Sequence, residues 1–410
     1  MSLFKIKKVL TQPDGFLYKL FLSPIVKIED KKNYIRIFGI NFLFYKMPTK
    51  TFKYAIYIDN EDEAFVLQLE KWFLNDFFKK EEVLIVIRNY KLIKNSIIEY
   101  LETQGYNFYI YRIIRNFDIS IFEIKYIFYI FNSFTNPVVI KDRTFKHIWI
   151  GHGESDKLAS VNPMIKMYDY IFVAGDIAIK RLLAFNIINR CDIDSGKVIK
   201  IGLPYLKPVK VKKKSNKIKK ILYAPTWEGI EKEQQYSSLN NNFGLKIIND
   251  FLINYNDNDI ELYFQPHPST GIKDSTYITY INNFIEKFQK YKDFYVLVSE
   301  NSFVFGKIKT DRILNSTNEY SEFDFVFTDN SSIIANLIFY KVNYLVLLDK
   351  KNMNLKKSFL LSISSIVRDK KELIDIVSME LKVDKDKRYL QVVNKENLTL
   401  EDIILYLKDS

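Results

Sequence analysis

The chain has 410 residues, of which 48% are apolar and 27% are charged, so it carries enough apolar side chain for packed cores and is not a disordered chain. Its length corresponds to two domains of ordinary size. The only cysteine is Cys191, which excludes an internal disulfide and a cysteine-rich zinc site, and with three histidines in the chain we expect no metal centre.

A formal net charge of +12 predicts an acidic partner, which is nucleic acid, an anionic membrane surface or a phosphate-rich substrate. No nucleic-acid-binding motif is present, so we expect no nucleic-acid partner. The N-terminus lacks the pattern of a signal peptide, and no apolar run approaches the roughly 18 residues of a spanning helix. These features predict a cytoplasmic protein that lies peripherally on the inner face of the cell membrane.

In chain order, residues 1–50 form a basic and aromatic N-terminal segment. Its run at residues 16–22 is either an amphipathic stretch that lies on a membrane or an arm that docks on the protein. Residues 51–206 alternate apolar runs of strand length with helical stretches, of which residues 66–79 show the best helical period. This alternation predicts a Rossmann-like domain with a mostly parallel sheet. The predicted strands are residues 54–58, 83–87, 108–113, 138–140, 147–150, 170–173 and 198–201.

Residues 207–220 contain eight lysines and no apolar period, which is typical of a solvated linker and adds to a surface that attracts anionic lipid. Residues 221–410 resume the alternation as a second Rossmann-like domain. The predicted fold class is therefore α/β, with two Rossmann-like domains facing a central cleft, where ligands commonly sit. Its predicted strands are residues 221–224, 260–264, 294–298, 324–327 and 344–348, and its predicted helices are residues 243–255, 277–291, 331–339, 370–380 and 398–408.

The first stretch with candidate functional residues is KHIWIGHGESDK, at residues 146–157. A predicted strand ends there in a turn, and His152 stands between Gly151 and Gly153, since glycine tolerates positive φ and leaves room for a ligand. Open α/β sheets bind ligands at such strand ends. A surface histidine in an ordinary loop explains the stretch equally well. Glu154 and Asp156 either orient His152 or bind the hydroxyls of an acceptor, or they belong to a plain polar loop.

Further candidate site residues follow two predicted strands in the second half of the chain. The sequence YAPTW, at residues 223–227, offers the hydroxyl of Thr226 and the ring of Trp227 to the cleft. In PHP, at residues 266–268, the two prolines restrict φ on both sides of His267 and so aim its ring. A proline turn and a satisfied loop histidine are the ordinary alternatives.

A third strand end, TDNSS at residues 328–332, leads directly into a predicted helix. Backbone N–H groups and hydroxyls at a helix N-terminus favour an anion such as a pyrophosphate. Asp329, Ser331 and Ser332 are the candidate residues there, and an N-capping serine is the ordinary alternative.

Taken together, HG at residues 152–153, GLP at residues 202–204 and the three motifs of the second half resemble the CDP-glycerol glycerophosphotransferase family, the teichoic-acid and capsule polymerases of bacteria. The resemblance covers roughly residues 146–349. It implies a GT-B-like fold, with His152 as the base on the acceptor hydroxyl. It also implies contacts to the donor's phosphates from His267, Asp329, Ser331 and Ser332, with Thr226 and Trp227 on the same nucleotide side.

The chain departs from the family at two places. It reads GHGESDK where the family commonly has WHGTPLK, and Glu228-Gly229 where the family has an Arg-Asp pair. These positions shape the pocket for the transferred group, so the donor can differ from CDP-glycerol.

We expect a transferase that moves a glycerol-phosphate or ribitol-phosphate unit from a CDP-activated donor to a hydroxyl of a growing capsule or teichoic-acid-like polymer, or of a lipid-linked glycan, and releases CMP. A neutral histidine suits the removal of the hydroxyl proton, and preorganised donors suit the departing phosphate. We expect no cofactor and no required metal. One alternative is a glycosyltransferase that uses a CMP-sugar such as CMP-sialic acid, as bacterial polysialyltransferases do; another is a non-catalytic assembly protein.

Overall fold

The computed structural model describes three short strands near the N-terminus and most of the chain from residue 50 onward. The strands β1 (Val26–Glu29), β2 (Tyr34–Ile37) and β3 (Ile40–Leu43) pair antiparallel in that order. Residues 16–22 and most of the lysine-rich linker lie outside the described residues, so the predicted membrane contact stays a prediction. Within the described part, no helix is long and apolar enough to cross a bilayer. The described residues are 26–29, 34–37, 40–43, 50–59, 65–88, 95–111, 119, 122–208, 218–229, 236–255, 260–300, 302–317, 319–349, 358–393 and 398–409.

The first large sheet has seven parallel strands in the order β10-β9-β8-β7-β4-β5-β6. Its strands are β4 (Tyr54–Ile58), β5 (Val83–Arg88), β6 (Phe108–Tyr111), β7 (Tyr126–Tyr129), β8 (Lys146–Trp149), β9 (Tyr170–Val173) and β10 (Val198–Lys200). The α-helices of this part are α1 (Phe65–Glu70), α2 (Asn95–Thr103), α3 (Asn136–Ile140), α4 (Asp176–Ala184) and α5 (Arg190–Asp194). Strands β4 and β7 are buried at every position, as expected for parallel strands covered on both faces.

The second large sheet also has seven parallel strands, in the order β14-β13-β12-β11-β15-β16-β17. Its strands are β11 (Lys220–Ala224), β12 (Glu261–Phe264), β13 (Phe294–Leu297), β14 (Ile313–Leu314), β15 (Phe325–Thr328), β16 (Asn343–Leu347) and β17 (Ile366–Val367). The α-helices from here to the C-terminus are α6 (Phe243–Tyr255), α7 (Thr276–Phe288), α8 (Ile333–Phe339), α9 (Leu373–Glu380), α10 (Lys385–Val392) and α11 (Leu400–Asp409). The prediction of two Rossmann-like α/β domains is confirmed.

Each large sheet reverses its strand order once, between β4 and β7 in the first and between β11 and β15 in the second. Open α/β sheets bind ligands outside the carboxyl ends of the strands at such a reversal. Thr226 follows β11 and Asp329 follows β15, so both flank the reversal of the second sheet. His152 follows β8, the direct neighbour of β7. The topology therefore brings the predicted motifs to ligand-binding edges.

Three elements of the first domain differ from the prediction. Residues 138–140 belong to the helix α3 and not to a strand, because Pro137 in the first turn favours the start of a helix. The central strand β7 was not predicted. The predicted helix at residues 66–79 ends at Glu70, and Asp76 has a left-handed φ of 56°. The aromatic residues that suggested the longer helix, such as Phe73 and Phe77, are buried in the core, so their spacing reflects burial and not helical turns.

The two domains share an apolar cluster. Ala174, Ile177 and Leu203 of the first domain pack in it with the α8 side of the second sheet. Gly175 lies against Val392, and a Cβ at this glycine would come within 2.6 Å of the Val392 carbonyl oxygen. Only glycine allows this approach of the two backbones, so the contact between the domains is built into the chain.

The last helix, α11, returns to the first domain. Its Ile403, Ile404 and Leu407 lie in the same core cluster as the strand β4. Thr399 caps the helix as predicted, since its Oγ1 accepts a hydrogen bond from the backbone N–H of Asp402 at 3.1 Å. The final helix therefore packs in the core of the first domain, whereas the prediction placed it in the second domain at residues 221–410.

Candidate active site

His152 stands on a turn that glycines make possible. Gly151 and Gly153 have φ of +64° and +146°, a region that other residues adopt at a cost. The imidazole ring stacks on Phe131 with ring centroids 5.5 Å apart. Its Nδ1 lies 3.4 Å from the carbonyl oxygen of Ile130, which can only accept, so the ring proton belongs on Nδ1. The Nε2 atom therefore carries a free lone pair.

Desolvation keeps this ring neutral. It lowers the pKa of His152 to about 4, and the positive charge of Lys71 contributes to the same shift. The Lys71 ammonium donates a hydrogen bond to the carbonyl oxygen of His152 and lies 4.7 Å from the centroid of the Tyr205 ring. Burial lowers the pKa of Lys71 itself to about 7. Lys71 was not predicted as a site residue, since only the fold brings it to the turn.

Glu154 and Asp156 bind Arg181 of α4. The Arg181 guanidinium donates to Glu154 and, at 3.3 Å, to Asp156. The other Asp156 oxygen accepts from the Ser358 hydroxyl at 2.6 Å and from the Leu360 N–H at 2.7 Å, both in the second domain. The two carboxylates thus hold the His152 turn and join the domains, and within the described residues neither hydrogen-bonds the His152 ring.

The hydrogen bonding of the His267 ring is the reverse of that of the His152 ring. Its Nδ1 accepts a hydrogen bond from the backbone N–H of Ser269 at 3.1 Å, so the ring proton belongs on Nε2. The ring lies parallel to Trp227, with an interplanar angle of 16° and centroids 6.0 Å apart. Desolvation lowers the pKa of His267 to about 3, and the charge of Lys157 adds to this shift. His267 is therefore a neutral hydrogen-bond donor.

Asp329 organises the second half of the site. Its side chain is fully buried and accepts hydrogen bonds from the Thr226 N–H at 2.9 Å, the Ser238 N–H at 2.8 Å and the Ser238 hydroxyl at 3.0 Å. Burial raises the pKa of Asp329 to about 6, while these hydrogen bonds oppose the rise. The carboxylate is thus committed to protein groups and fixes the loop that carries Thr226.

The two serines that follow Asp329 differ in exposure. Ser331 is buried, its N–H donates to the Asp329 carbonyl oxygen at 2.7 Å, and its hydroxyl oxygen lies 3.5 Å from the N–H of Ile333. Ser332 is exposed at the N-cap position of α8. Of the two hydroxyls, only that of Ser332 is placed to meet a ligand from solvent.

Lys157 connects the two halves and was missed by sequence reasoning. It follows His152 by five residues, and its Nζ lies 3.4 Å from Oγ1 of Thr226 in the second domain. Its positive charge lowers the pKa of both His152 and His267. The charge of Lys157 therefore acts on both rings, although they stand on different domains.

Glu228 fixes the loop that follows His267. It is buried, and its carboxylate accepts backbone N–H groups of Gly271 and Lys273 at 3.0 Å and of Asp274 at 3.2 Å. The only sequence signal for it was the departure from the family's Arg-Asp pair. Its contacts show that Glu228 anchors the loop that follows His267.

A cavity opens beside His152 at the carboxyl ends of β8, β9 and β10. Its walls include both glycines of the turn and Gly202 and Leu203 of the GLP motif. Its larger lining side chains are Trp72, Trp149, Arg181 and Tyr205.

No protein-family model and no curated protein matches the chain. Among solved structures, it is similar to the wall teichoic acid polymerase TagF, with 14% identity over 88% of each chain and a TM-score of 0.45. It is similar to MurG of Acinetobacter baumannii, with 8% identity over 87% of this chain and 100% of that chain and a TM-score of 0.46. It is also similar to S. aureus MnaA in complex with UDP, with 13% identity over 88% of this chain and 96% of that chain and a TM-score of 0.45. We assign no family from likenesses of this size.

Proposed function

We propose that the protein transfers a phosphopolyol from a CDP-activated donor to a hydroxyl of a cell-surface polymer or lipid-linked glycan and releases CMP. The observation that carries the proposal is the opposite protonation of the two histidines at Nε2. His152 offers a lone pair there and His267 offers an N–H, while the charge of Lys157 favours the neutral form of both rings. Transfer to a hydroxyl needs one group that takes a proton and another that binds the phosphate charge.

In the proposed reaction, Nε2 of His152 accepts the acceptor's hydroxyl proton while the hydroxyl oxygen attacks the phosphorus of the phosphopolyol. A new P–O bond forms, and the bond from that phosphorus to the oxygen bridging it to CMP breaks. The electron pair of the broken bond leaves with CMP, and His152 passes its proton to solvent. Phosphoryl transfer depends mainly on positioning and charge stabilisation, which the fixed loops supply.

The donor's phosphates are proposed to lie against the second domain. The Nε2–H of His267 and the ammonium of Lys157 supply donors for the charge that develops on the leaving CMP. The proposed binding surface for the donor also includes Thr226, Trp227 and the exposed Ser332. The buried Ser331 lies behind them. Asp329 acts through the Thr226 loop, because its own oxygens are already occupied.

The test is a screen of the purified full-length chain against CDP-glycerol, CDP-ribitol and CMP-sialic acid, each with a polymeric or lipid-linked acceptor, measuring released CMP. We expect release from a CDP-polyol that depends on the acceptor and is lost in His152→Ala. Cys191→Ser, at an exposed position, is the matched control and should keep full activity. Release from CMP-sialic acid alone would favour the sugar-transfer alternative, and no release from any donor would favour an assembly protein.

A further inference from the structure

The turn that carries His152 needs support from outside, because its own backbone is permissive. The glycines on both sides, Gly151 and Gly153, have positive φ, and glycine has the least restricted backbone of all residues. The imidazole ring stacks on Phe131, and its Nδ1 lies 3.4 Å from the carbonyl oxygen of Ile130, which is long for a hydrogen bond. The position of the ring therefore depends on what holds the residues that follow it.

Asp156, four residues after His152, supplies such an anchor and connects the two domains. Its side chain is 1% exposed. One carboxylate oxygen accepts a hydrogen bond from Arg181 of the first domain at 3.3 Å. The other accepts from the Ser358 hydroxyl at 2.6 Å and from the Leu360 N–H at 2.7 Å, both in the second domain. Because the carboxylate is buried, water does not compete for these bonds.

The segment of the second domain that meets Asp156 is itself fixed. Leu360 and Leu361 are buried in the apolar cluster that the two domains share. The carbonyl oxygen of Leu360 accepts from the Ser364 hydroxyl at 2.7 Å, and this hydroxyl lies 3.0 Å from that of Tyr344 on β16. The segment is therefore tied to the sheet of the second domain.

The neighbouring charged residues of the turn do not give the same connection. Glu154 binds Arg181, so this ion pair stays within the first domain. Lys157 reaches Thr226 of the second domain, but its Nζ lies 3.4 Å from Oγ1. Of these contacts, those of Asp156 are the short ones that cross between the domains.

We propose that residues 358–361 of the second domain position the general base of the first, with Asp156 as the positioning residue that connects them. The role of His152 as the base rests on the proposed function, whereas its anchoring does not. In the proposed reaction the base stands on one domain and the donor's phosphates lie against the other. A misplacement of about 1 Å can cost about 100-fold in rate, so the contact between the domains sets the rate of transfer.

The anchoring can be tested in the free protein, because the chain has three histidines and their ring NMR signals can be assigned with His→Gln variants. We expect Ser358→Ala to shift the ring signals of His152, which lie in the ring-current field of Phe131. The signals of His147, which the Tyr129 hydroxyl holds on β8, should stay in place. Unmoved His152 signals in Ser358→Ala overturn the proposal.

The same segment offers a matched control. Ser362 is exposed and its hydroxyl donates to the carbonyl oxygen of Phe359 at 2.6 Å, so Ser362→Ala alters the segment and leaves the Asp156 contacts in place. Its His152 signals should match those of the wild type. Equal shifts in Ser362→Ala and Ser358→Ala would show a general response to altered packing and overturn the proposal.

Kinetics separate positioning from folding. Ser358→Ala should lower kcat by about 10-fold, as expected for losing one hydrogen bond to a charged group, and leave the donor affinity measured by calorimetry nearly unchanged. Ser358→Thr keeps the hydroxyl and should recover most of the loss. In a His152→Ala background, Ser358→Ala should cause little further loss, because the two residues act as a unit. Losses that multiply in the double variant overturn the proposal.

The two proposals fail in distinguishable ways. If no donor releases CMP but the His152 signals still move in Ser358→Ala, the proposed transfer is wrong and the anchoring stands. If CMP is released and the kcat of Ser358→Ala equals that of the wild type, the transfer stands and the second domain does not position the base.

Discussion

The turns that carry His152 and His267 hold the same side chain in the same neutral state, and yet they leave its Nε2 atom with opposite hydrogen-bonding capacity. A carbonyl oxygen, that of Ile130, faces Nδ1 of His152, whereas a backbone N–H, that of Ser269, faces Nδ1 of His267. The identity of this one neighbouring atom decides whether Nε2 accepts or donates a hydrogen bond. The hydrogen-bonding capacity of each ring is therefore set by the backbone group that faces its Nδ1.

The surroundings of the two rings differ as well. Near His267, the carboxylates of Asp329 and Glu228 accept backbone N–H groups, so they fix the loops of the second domain through the main chain. Near His152, the carboxylates of Glu154 and Asp156 instead bind the guanidinium of Arg181. The turn of the first domain is thus held through a side-chain ion pair.

The largest effect is expected from His152→Ala. Loss of a general base typically lowers the rate 10²- to 10⁴-fold, so turnover should fall within this range. Donor affinity should stay nearly unchanged, since this ring binds no phosphate in the proposed reaction. Steady-state kinetics combined with calorimetric donor binding measures both quantities. Full turnover of this variant on the true donor and acceptor would show that His152 is not the general base but an ordinary polar loop residue.

Asp329→Ala should destabilise the second domain strongly. It leaves the N–H groups of Thr226 and Ser238 and the Ser238 hydroxyl buried without partners, at a cost of about 3 kcal/mol or more in the free energy of unfolding. Asp176→Ala is the control, because that carboxylate forms an exposed ion pair with Lys200 and should change the free energy by less than about 1 kcal/mol. Urea unfolding compares them, and equal midpoints would refute the organising role.

His267→Ala should weaken donor binding and turnover together. Removing one donor to a charged group lowers affinity by roughly 10- to 100-fold, and the loss persists in the transition state. This result would differ from that of His152→Ala, in which only turnover falls. His267→Gln keeps an N–H near the position of Nε2 and should retain part of the affinity. A variant that loses turnover with normal donor affinity would mean that the two histidines have been assigned the wrong way round.

The last prediction concerns the pH dependence of stability. The folded-state pKa values of His152 and His267, about 4 and about 3, lie below the ordinary value of 6.5, so the unfolded chain binds these protons first. The stability that these neutral rings contribute is present above pH 6.5 and is lost as the pH falls toward the folded values, by about 1.4 kcal/mol per pH unit for each ring. The effect of Asp329 on the pH dependence of stability has the opposite sign, because its folded-state pKa is raised to about 6. The stability that its protonated form contributes is lost as the pH rises through that value.

Urea unfolding at pH 7, 6 and 5 should therefore show a flatter decline in a His152→Gln, His267→Gln double variant than in the wild-type chain. Asp329 is present in both proteins, so its opposing effect cancels in the comparison. Parallel declines in the two proteins would show that the rings are not held neutral.

Much of the fold could be predicted from the local pattern of apolar residues. A helix was predicted near Phe243–Tyr255 and lies there, and the strands that carry the HG, YAPTW, PHP and TDNSS motifs lie where apolar runs predicted them. Hydrophobic periodicity is a property of neighbouring residues and can be read without the rest of the chain. The same method failed at α3 and β7, where two apolar runs follow each other and length alone does not separate a strand from a short helix.

The sequence by itself determined which residue types stand at the strand ends, and so it pointed to His152, His267 and Asp329. Only the tertiary structure decided what each of them does. Asp329 accepts from Thr226, 103 residues away, and Asp156 accepts from Ser358, 202 residues away. Lys71 and Lys157 likewise reach groups that lie 81 and 69 residues from them. Hydrogen-bond partners and desolvation depend on distance in space, and no local pattern along the chain contains that information.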